Sequence, residues 1–221
     1  MSWFYYTGRL IIRLLLFLFT RWQVRGRQNI PRQGPLLAVV NHLNLADPPV
    51  IAVSLHRKSM FMAKEELFRS GFSRYFISRF GAFPVHRGRL DRETLRQAEK
   101  VLAQGMVLIV FPEGTRSKNA QLQSALPGST LLALRSSVPV LPIGISGTER
   151  IKGATWWLRR PRITVNIGPP FHLPPANGKL SRTAMAELTD SIMTRISELL
   201  PAEYRGKYAG QGNTDVTKNK D

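Results

Sequence analysis

Short apolar runs alternate along the chain with longer stretches in which apolar residues recur at helical spacing. The runs predict strands at 36–40, 60–63, 82–85, 106–111, 138–145 and 162–167. The longer stretches predict helices at 48–55, 65–79 (broken near Gly71), 92–104, 128–136 and 181–200. Alternating strands and helices predict an α/β fold, a mixed β-sheet flanked by helices. Pro139 and Pro142 lack the N–H that a ladder needs, so strand 138–145 is predicted near a sheet edge.

The N-terminal segment, residues 2–22, is strongly apolar and rich in aromatic residues. On a helix it has one narrow polar stripe, formed by Ser2, Tyr6, Arg9, Arg13 and Thr20. Its unbroken apolar core, residues 14–19, is much shorter than the roughly 20 residues that span a bilayer, and Arg13 makes a simple span costly. No small-residue cleavage site follows, as a secretory signal peptide would require.

We therefore expect a membrane-associated amphipathic helix that lies in the interface, with its aromatic and arginine side chains at headgroup level. A buried core helix and a tilted or re-entrant insertion are the alternatives. These patterns divide the chain into an N-terminal membrane-associated helix (1–24), one α/β domain (25–206) and a flexible polar tail (207–221).

Composition narrows the possible chemistry. The chain of 221 residues has 32 Lys and Arg against 14 Asp and Glu, a formal net charge of +18. Such an excess indicates an anionic partner, which charge alone leaves open as nucleic acid, anionic lipid or a phosphorylated substrate. There is no cysteine, which excludes disulfides, thiolate metal sites and a cysteine nucleophile.

A histidine and an aspartate follow the predicted strand 36–40 at a spacing of five residues. His42 falls in the turn after the strand, and Asp47 precedes Pro48, so Asp47 is predicted to cap the next helix. A histidine that acts as a general base must carry no proton on its reacting nitrogen. A carboxylate that accepts the N–H of the other ring nitrogen holds the imidazole in that tautomer. His42 and Asp47 are therefore a candidate base and its orienting residue. By itself the spacing also fits a surface histidine beside an ordinary helix cap.

Three further stretches end or interrupt predicted strands. Residues 111–117 place Glu113 and Arg116 in a glycine-containing turn, and the planar guanidinium of arginine suits phosphate. Residues 81–88 place Arg87 among glycines that permit close approach of the backbone to a ligand. Residues 138–144 carry no reactive side chain and are predicted to line the site. Motifs of serine hydrolases, P-loop enzymes, zinc proteases and dinucleotide enzymes are absent from the sequence.

Together these stretches resemble the glycerolipid acyltransferase family, in particular its 1-acyl-sn-glycerol-3-phosphate acyltransferases. The four blocks of that family match residues 41–47, 81–87, 111–117 and 138–143, and the third, FPEGTRS, matches in full. The match covers roughly residues 36–145, about half of the chain. Two positions depart from the family pattern: Asn44 stands where serine is frequent, and His86 stands where an aspartate or similar residue is usual.

The resemblance implies an enzyme that moves a fatty acyl group from acyl-CoA or acyl-carrier protein to the free hydroxyl of 1-acyl-glycerol-3-phosphate (lysophosphatidic acid). The product would be phosphatidic acid, in phospholipid biosynthesis. His42 would be the general base and Asp47 its orienting partner. No metal is expected, and no cofactor apart from the acyl donor as co-substrate. Membrane lipids would be partners, with the active site at the cytoplasmic face of the cell membrane.

The resemblance also assigns the acceptor site. Arg87 and Arg116 would bind the phosphate of the acceptor, and Lys64 is a further candidate for that role. The residues that would shape the acceptor pocket are Glu113, Gly114 and Thr115.

Two other functions stay open at this point. One is a family acyltransferase with another acceptor: glycerol-3-phosphate, a different lysophospholipid or a lipid amine. The other is a basic nucleic-acid-binding protein, which predicts basic residues interleaved with aromatics on a sheet or groove. The aromatic residues cluster instead at the apolar N-terminus, so no nucleic-acid partner is expected.

Overall fold

The structure, a computed structural model, describes residues 3–85, 91–175 and 180–210. The helices are α1 (Trp3–Phe19), α2 (Asp47–Ser54), α3 (Gly71–Arg79), α4 (Arg92–Ala103), α5 (Gly128–Ser136) and α6 (Arg182–Glu198). The strands are β1 (Arg21–Arg25), β2 (Leu36–Val40), β3 (Ser59–Lys64), β4 (Ala82–Val85), β5 (Val107–Val110), β6 (Val140–Ser146) and β7 (Arg162–Ile167). The predicted α/β class is confirmed.

All seven strands form one mixed sheet in the order β1-β7-β6-β2-β5-β3-β4. Strands β2 to β6 run parallel to their neighbours among themselves, whereas β7 pairs antiparallel with β6 and parallel with β1. Five strands therefore end at the same side of the sheet, which we call the carboxyl edge. In open α/β sheets, ligands bind beyond such an edge, because the loops that leave the strands meet there.

Side chains alternate along the strands between two cores, one on each face of the sheet. On β2, Leu36, Ala38 and Val40 point to the face covered by α1 and α2. Leu37 and Val39 point to the opposite face, which α4, α5 and α6 cover. Since both faces of β2 are covered, all five of its residues are buried, which explains its continuous apolar run.

Two strands differ from the sequence-based expectation. Strand β1 is not evident from the sequence, because RWQVR follows the helix with one residue between them and carries three polar side chains. Strand β6 was predicted near an edge and lies inside the sheet, between β7 and β2, so that prediction is wrong. The antiparallel register with β7 begins at Ile143, one residue after Pro142. The missing N–H of Pro142 thus lies beyond the end of that ladder.

Helix α1 turns its arginines toward the protein. Arg9 is nearly buried and donates to the carbonyls of Leu55 and Arg57, the latter at 2.9 Å. Arg13 donates to the carbonyl of Val53 at 3.1 Å. These carbonyls lie at or just beyond the C-terminal end of α2, where backbone oxygens lack intrahelical partners. The expectation that the arginines of this helix lie at headgroup level is therefore wrong for Arg9, whereas Arg13 stays exposed beside its bond to Val53.

The opposite side of α1 is apolar and exposed, and we call it the outer face of α1. Its residues, each at least 46% exposed, are Trp3, Leu10, Ile11, Leu14, Leu15, Phe17 and Leu18. A buried core helix is therefore ruled out for this segment. Within the part of the chain that the structure describes, no helix is long and apolar enough to cross a membrane. An apolar surface of this size indicates an interaction site.

Ordered packing continues into the predicted polar tail. Residues Gly206–Tyr208 form a short 3₁₀ helix, and Tyr208 is buried with its hydroxyl 3.0 Å from Asp190. The chain is thus packed one residue beyond Lys207, where the flexible tail was predicted to begin. Residues 211–221 lie outside the described residues.

Replacing Arg9 should destabilise the protein. In Arg9→Gln the carbonyls of Leu55 and Arg57 lose their shared donor, at a cost of about 1–3 kcal/mol for buried groups left unpaired. We expect the thermal midpoint to fall by about 2–4 °C for each kcal/mol. The matched control is Arg21→Gln, since the Arg21 side chain is exposed on β1. Equal midpoints for the two variants would show that the arginine contacts do not hold α1 in place.

Candidate active site

His42 and Asp47 lie together at the carboxyl edge, in the turn between β2 and α2. Nδ1 of His42 is 2.8 Å from Oδ2 of Asp47. The carboxylate is fully buried, whereas the imidazole is 16% exposed. Because an ionised carboxylate only accepts hydrogen bonds, Nδ1 carries the proton and Nε2 has a free lone pair. No residue that the structure describes forms a hydrogen bond with Nε2, so the basic nitrogen is available to a substrate.

The turn is folded around one oxygen of Asp47. Besides His42, the backbone N–H groups of Leu43 and Asn44 donate to Oδ2, at 2.6 and 2.7 Å. Asp47 is the first residue of α2 and Ala46 is its N-cap, so the predicted capping role of Asp47 is wrong. Its carboxylate faces back over the preceding turn instead of forward onto the amides of the helix. Three donors therefore fix the position of the group that orients the imidazole.

Two asparagines in the same turn attach it to the neighbouring strand and loop. Asn41 exchanges two hydrogen bonds with the backbone of Ile145 on β6, at 2.7 and 2.8 Å. Asn44 accepts from the N–H of Ala46 at 3.0 Å and donates to the carbonyl of Ile151 at 3.3 Å. The asparagine that departs from the family pattern thus shapes the turn itself. The sequence marks both positions as polar but does not reveal these partners.

Glu113 joins the His42 turn to the loop after β5. Its Oε1 accepts from the backbone N–H of His42 at 2.8 Å, and its Oε2 accepts from that of Gln123 at 2.9 Å. Burial raises the pKa of Glu113 to about 7, although both hydrogen bonds oppose the shift. Since each carboxylate oxygen binds the backbone, Glu113 acts here as a positioning residue. Gln123 contacts Glu113 only through its backbone N–H, which explains why no sequence signal identifies it as a partner.

The loop after β5 also holds His42 from two further sides. The ring of Phe111 stacks on the imidazole, with centroids 4.2 Å apart and an interplanar angle of 25°. The backbone N–H of Ser117 donates to the carbonyl of His42 at 2.8 Å. Phe111 opens the FPEGTRS block, yet the sequence gives no indication that its ring contacts the histidine. The imidazole is therefore fixed in orientation by its ring face as well as by Nδ1.

Gly114 is required by the backbone of this loop. Its φ is +64°, and a Cβ there would lie 2.8 Å from Cδ1 of Leu126. Its N–H donates to the carbonyl of Phe111 at 3.0 Å and closes the turn. The next two residues, Thr115 and Arg116, are exposed. The structure therefore gives Gly114 a structural role and leaves Thr115 and Arg116 accessible.

The predicted phosphate-binding residues follow adjacent strands. Arg116 follows β5, next to β2, and Lys64 ends β3, one strand further. Neighbouring strands are about 4.8 Å apart, so these segments lie side by side along the carboxyl edge. Lys64 pairs with Glu66 at 2.6 Å, and both side chains are partly exposed. Arg87, together with His86, lies outside the described residues, just after β4.

A family model described as Acyltransferase matches residues 21–146, more than half of the chain. Among solved structures, the chain is similar to the 1-acyl-sn-glycerophosphate (LPA) acyltransferase PlsC of Thermotoga maritima, with a TM-score of 0.64 and 27% identity. That comparison covers 88% of this chain and 79% of the other.

The chain is also similar to curated proteins that carry the name 1-acyl-sn-glycerol-3-phosphate acyltransferase. A 1-acyl-sn-glycerol-3-phosphate acyltransferase of Bacillus subtilis is 25% identical over 190 residues, which cover 85% of this chain and 92% of that protein. A chloroplastic 1-acyl-sn-glycerol-3-phosphate acyltransferase of Arabidopsis thaliana is 28% identical over 173 residues. This chain covers 48% of the Arabidopsis protein, about half of its length.

The raised pKa of Glu113 makes a prediction for stability. The folded protein keeps a proton that the unfolded chain releases near the ordinary value of 4.5, so the free energy of unfolding should fall as pH rises from 4.5 to 7. The fall attributable to Glu113 is of the order of 3 kcal/mol. Glu113→Gln cannot titrate and should lose this part of the pH dependence.

Urea unfolding of both proteins between pH 4.5 and 7.5 measures the effect. The stability of the wild type relative to Glu113→Gln should decrease steadily with pH. A difference that stays constant over this range would contradict the raised pKa.

Proposed function

The chain belongs to the acyltransferase family, and we propose that it transfers a fatty acyl group to the free hydroxyl of 1-acyl-sn-glycerol-3-phosphate, giving phosphatidic acid. The observation that carries this proposal is the hydrogen bond between Nδ1 of His42 and the buried carboxylate of Asp47, with Nε2 open. The names of the Bacillus and Thermotoga proteins support the choice of acceptor.

In the proposed reaction Nε2 of His42 removes the proton from the acceptor hydroxyl. The oxygen attacks the thioester carbonyl of the acyl donor, and the new C–O bond forms as the carbonyl oxygen takes up negative charge. When the carbonyl reforms, the C–S bond breaks and the imidazolium returns its proton to the departing thiolate. Asp47 stabilises the imidazolium between these steps. No acyl-enzyme is needed, in agreement with a chain that has no cysteine.

Positive side chains on the carboxyl edge suit both substrates. Arg116 is exposed beside the His42 turn and Lys64 is the last residue of β3, whereas Arg87 lies outside the described residues and follows β4 in the sequence. We propose that they bind the phosphate of the acceptor. The donor is acyl-CoA or acyl-carrier protein, both of which are anionic and suit a chain of net charge +18.

The outer face of α1 suits an acceptor that stays in a lipid leaflet. We propose that this face lies in the membrane interface and holds the enzyme at the cytoplasmic side of the cell membrane. Arg9 does not oppose this arrangement, because it is buried against the protein, and the exposed Arg13 donates to the carbonyl of Val53. An apolar helix face buried at the acyl boundary gives a monotopic association without a span.

Removing the proposed base should nearly abolish turnover. We expect His42→Ala to lower the rate of thiol release from acyl-CoA with lysophosphatidic acid by about 10²–10⁴-fold, the usual contribution of a general base. The matched control is His56→Ala, since His56 is exposed between α2 and β3 at the opposite edge of the sheet. Normal turnover by a folded His42→Ala protein would refute the assignment of the base.

A panel of acceptors with one acyl donor tests the substrate. The proposal requires lysophosphatidic acid to be acylated faster than glycerol-3-phosphate, a neutral lysophospholipid and a lipid amine. A faster reaction with any of these would reassign the acceptor while leaving His42 as the base.

Polar substitutions on the outer face of α1 should release the protein from membranes. In Leu10→Ser with Leu14→Ser, two exposed leucines lose their apolar contact, and we expect sedimentation with liposomes to fall at least about tenfold. Leu10→Met with Leu14→Met keeps the apolar surface and serves as the control. Equal sedimentation of the two double variants would argue against this face as the anchor. Point substitutions are preferable to deletion of the helix, because deletion would also remove the buried side chains of Tyr5 and Leu16.

A further inference from the structure

The loop between β6 and β7 exposes two large apolar side chains that the proposed chemistry does not use. Trp157 is 44% exposed and Leu158 is 63% exposed. Both belong to the 3₁₀ helix Trp156–Arg159, and Arg160 follows it with a φ of +41°. We call residues 156–160 the Trp157 turn.

The Trp157 turn is attached to the C-terminal end of α1. The rings of Trp157 and Phe19 meet edge to face, with centroids 6.1 Å apart and an interplanar angle of 78°. Arg160 donates to the carbonyl of Phe17 at 3.3 Å, in the last turn of the helix, where carbonyls have no intrahelical partner. Phe17 itself is among the most exposed residues of the outer face of α1. The exposed apolar surface therefore continues from α1 onto the turn.

The same loop touches the catalytic turn. It begins at the carboxyl edge, after β6, and its Ile151 carbonyl accepts a hydrogen bond from Nδ2 of Asn44 at 3.3 Å. Asn44 in turn donates its backbone N–H to the carboxylate of Asp47. A single loop thus connects the residues that hold His42 with the end of α1.

Charge identifies the kind of surface that this loop fits. Between residues 147 and 162 the only acidic side chain is Glu149, which is already bound to the hydroxyl of Tyr204 and to Arg150. The cationic residues of the same segment are Arg150, Lys152, Arg159, Arg160 and Arg162. Tryptophan and leucine flanked by arginines match a membrane interface, with apolar groups below the headgroups and cations among anionic lipids.

We infer that the Trp157 turn is a second membrane contact, which inserts Trp157 and Leu158 into an anionic leaflet beside the outer face of α1. A single helix lying in the interface leaves the body of the protein free to rotate about the helix axis. A second contact at the end of that helix limits the rotation and sets the height of the catalytic turn above the leaflet. This inference rests on the proposed membrane function of α1.

Quenching by brominated lipids tests the insertion of Trp157 directly. In a protein whose other tryptophans are replaced by phenylalanine, vesicles of phosphatidylglycerol and bromine-labelled phosphatidylcholine should quench Trp157 strongly. The control keeps no native tryptophan and carries Arg96→Trp, because Arg96 is exposed on α4, across the sheet from α1. Its fluorescence should be nearly unaffected. Unquenched Trp157 in vesicle-bound protein would overturn the inference and leave α1 as the membrane contact.

A second pair of variants needs only one substitution each. Leu158→Ser should weaken partition into anionic vesicles by about tenfold, or about 1.4 kcal/mol, whereas Leu158→Met should partition like the wild type. With acyl-CoA and lysophosphatidic acid, Leu158→Ser should also lower the ratio of activity on vesicles to activity on detergent micelles. Equal partition of the two variants would refute the second contact.

The binding measurements contain no acyl donor, so they report on the Trp157 turn even if the wild type fails to acylate lysophosphatidic acid. Failure of the proposed function would appear as absent turnover with both vesicles and micelles. Failure of this inference would appear as equal partition of Leu158→Ser and Leu158→Met and as unquenched Trp157, with turnover intact.

Discussion

The buried carboxylate of Asp47 is the constraint on which the turn between β2 and α2 depends. A charge without solvent must be satisfied by nearby donors, and Oδ2 gathers His42, Leu43 and Asn44 within 2.8 Å. The backbone between β2 and α2 can supply those N–H groups only by folding around the oxygen. The tautomer and the orientation of the imidazole are consequences of that fold. The hydrogen bonds that satisfy Asp47 therefore fix both the fold of the turn and the orientation of His42.

Helix α2 connects this turn to α1. Its first residue is Asp47, and the carbonyls at its other end accept from Arg9 and Arg13 of α1. An acid at the N-terminus and cations at the C-terminus both complement the helix dipole. Both arginines thus help to fix α1 against the end of α2. With Arg9 bound to carbonyls beyond α2, the apolar side of α1 faces outward.

Regular segments and the contact between His42 and Asp47 were predictable from the sequence, whereas contacts between distant segments were not. The apolar run 36–40 gives β2 directly, since a strand buried on both faces has no polar positions. The amphipathic pattern of α1 was also clear, but a hydrophobic pattern cannot say whether the polar or the apolar side faces the protein. The contacts of Glu113 with the backbone of His42 and Gln123 join residues 71 and 10 positions away in sequence. Since any residue supplies a backbone N–H, no side chain marks these partners.

The two buried carboxylates of the site do different work, and their partners explain why. Asp47 faces a titratable ring and can stabilise a positive charge that forms on it. Glu113 accepts hydrogen bonds only from backbone amides, so it joins the loop after β5 to the backbone of His42. Burial favours the protonated form of Glu113, because the two backbone donors do not offset the cost of removing its charge from water. The two roles are separate: Asp47 fixes the orientation of the imidazole, and Glu113 fixes the loop that carries Arg116 against the backbone of His42.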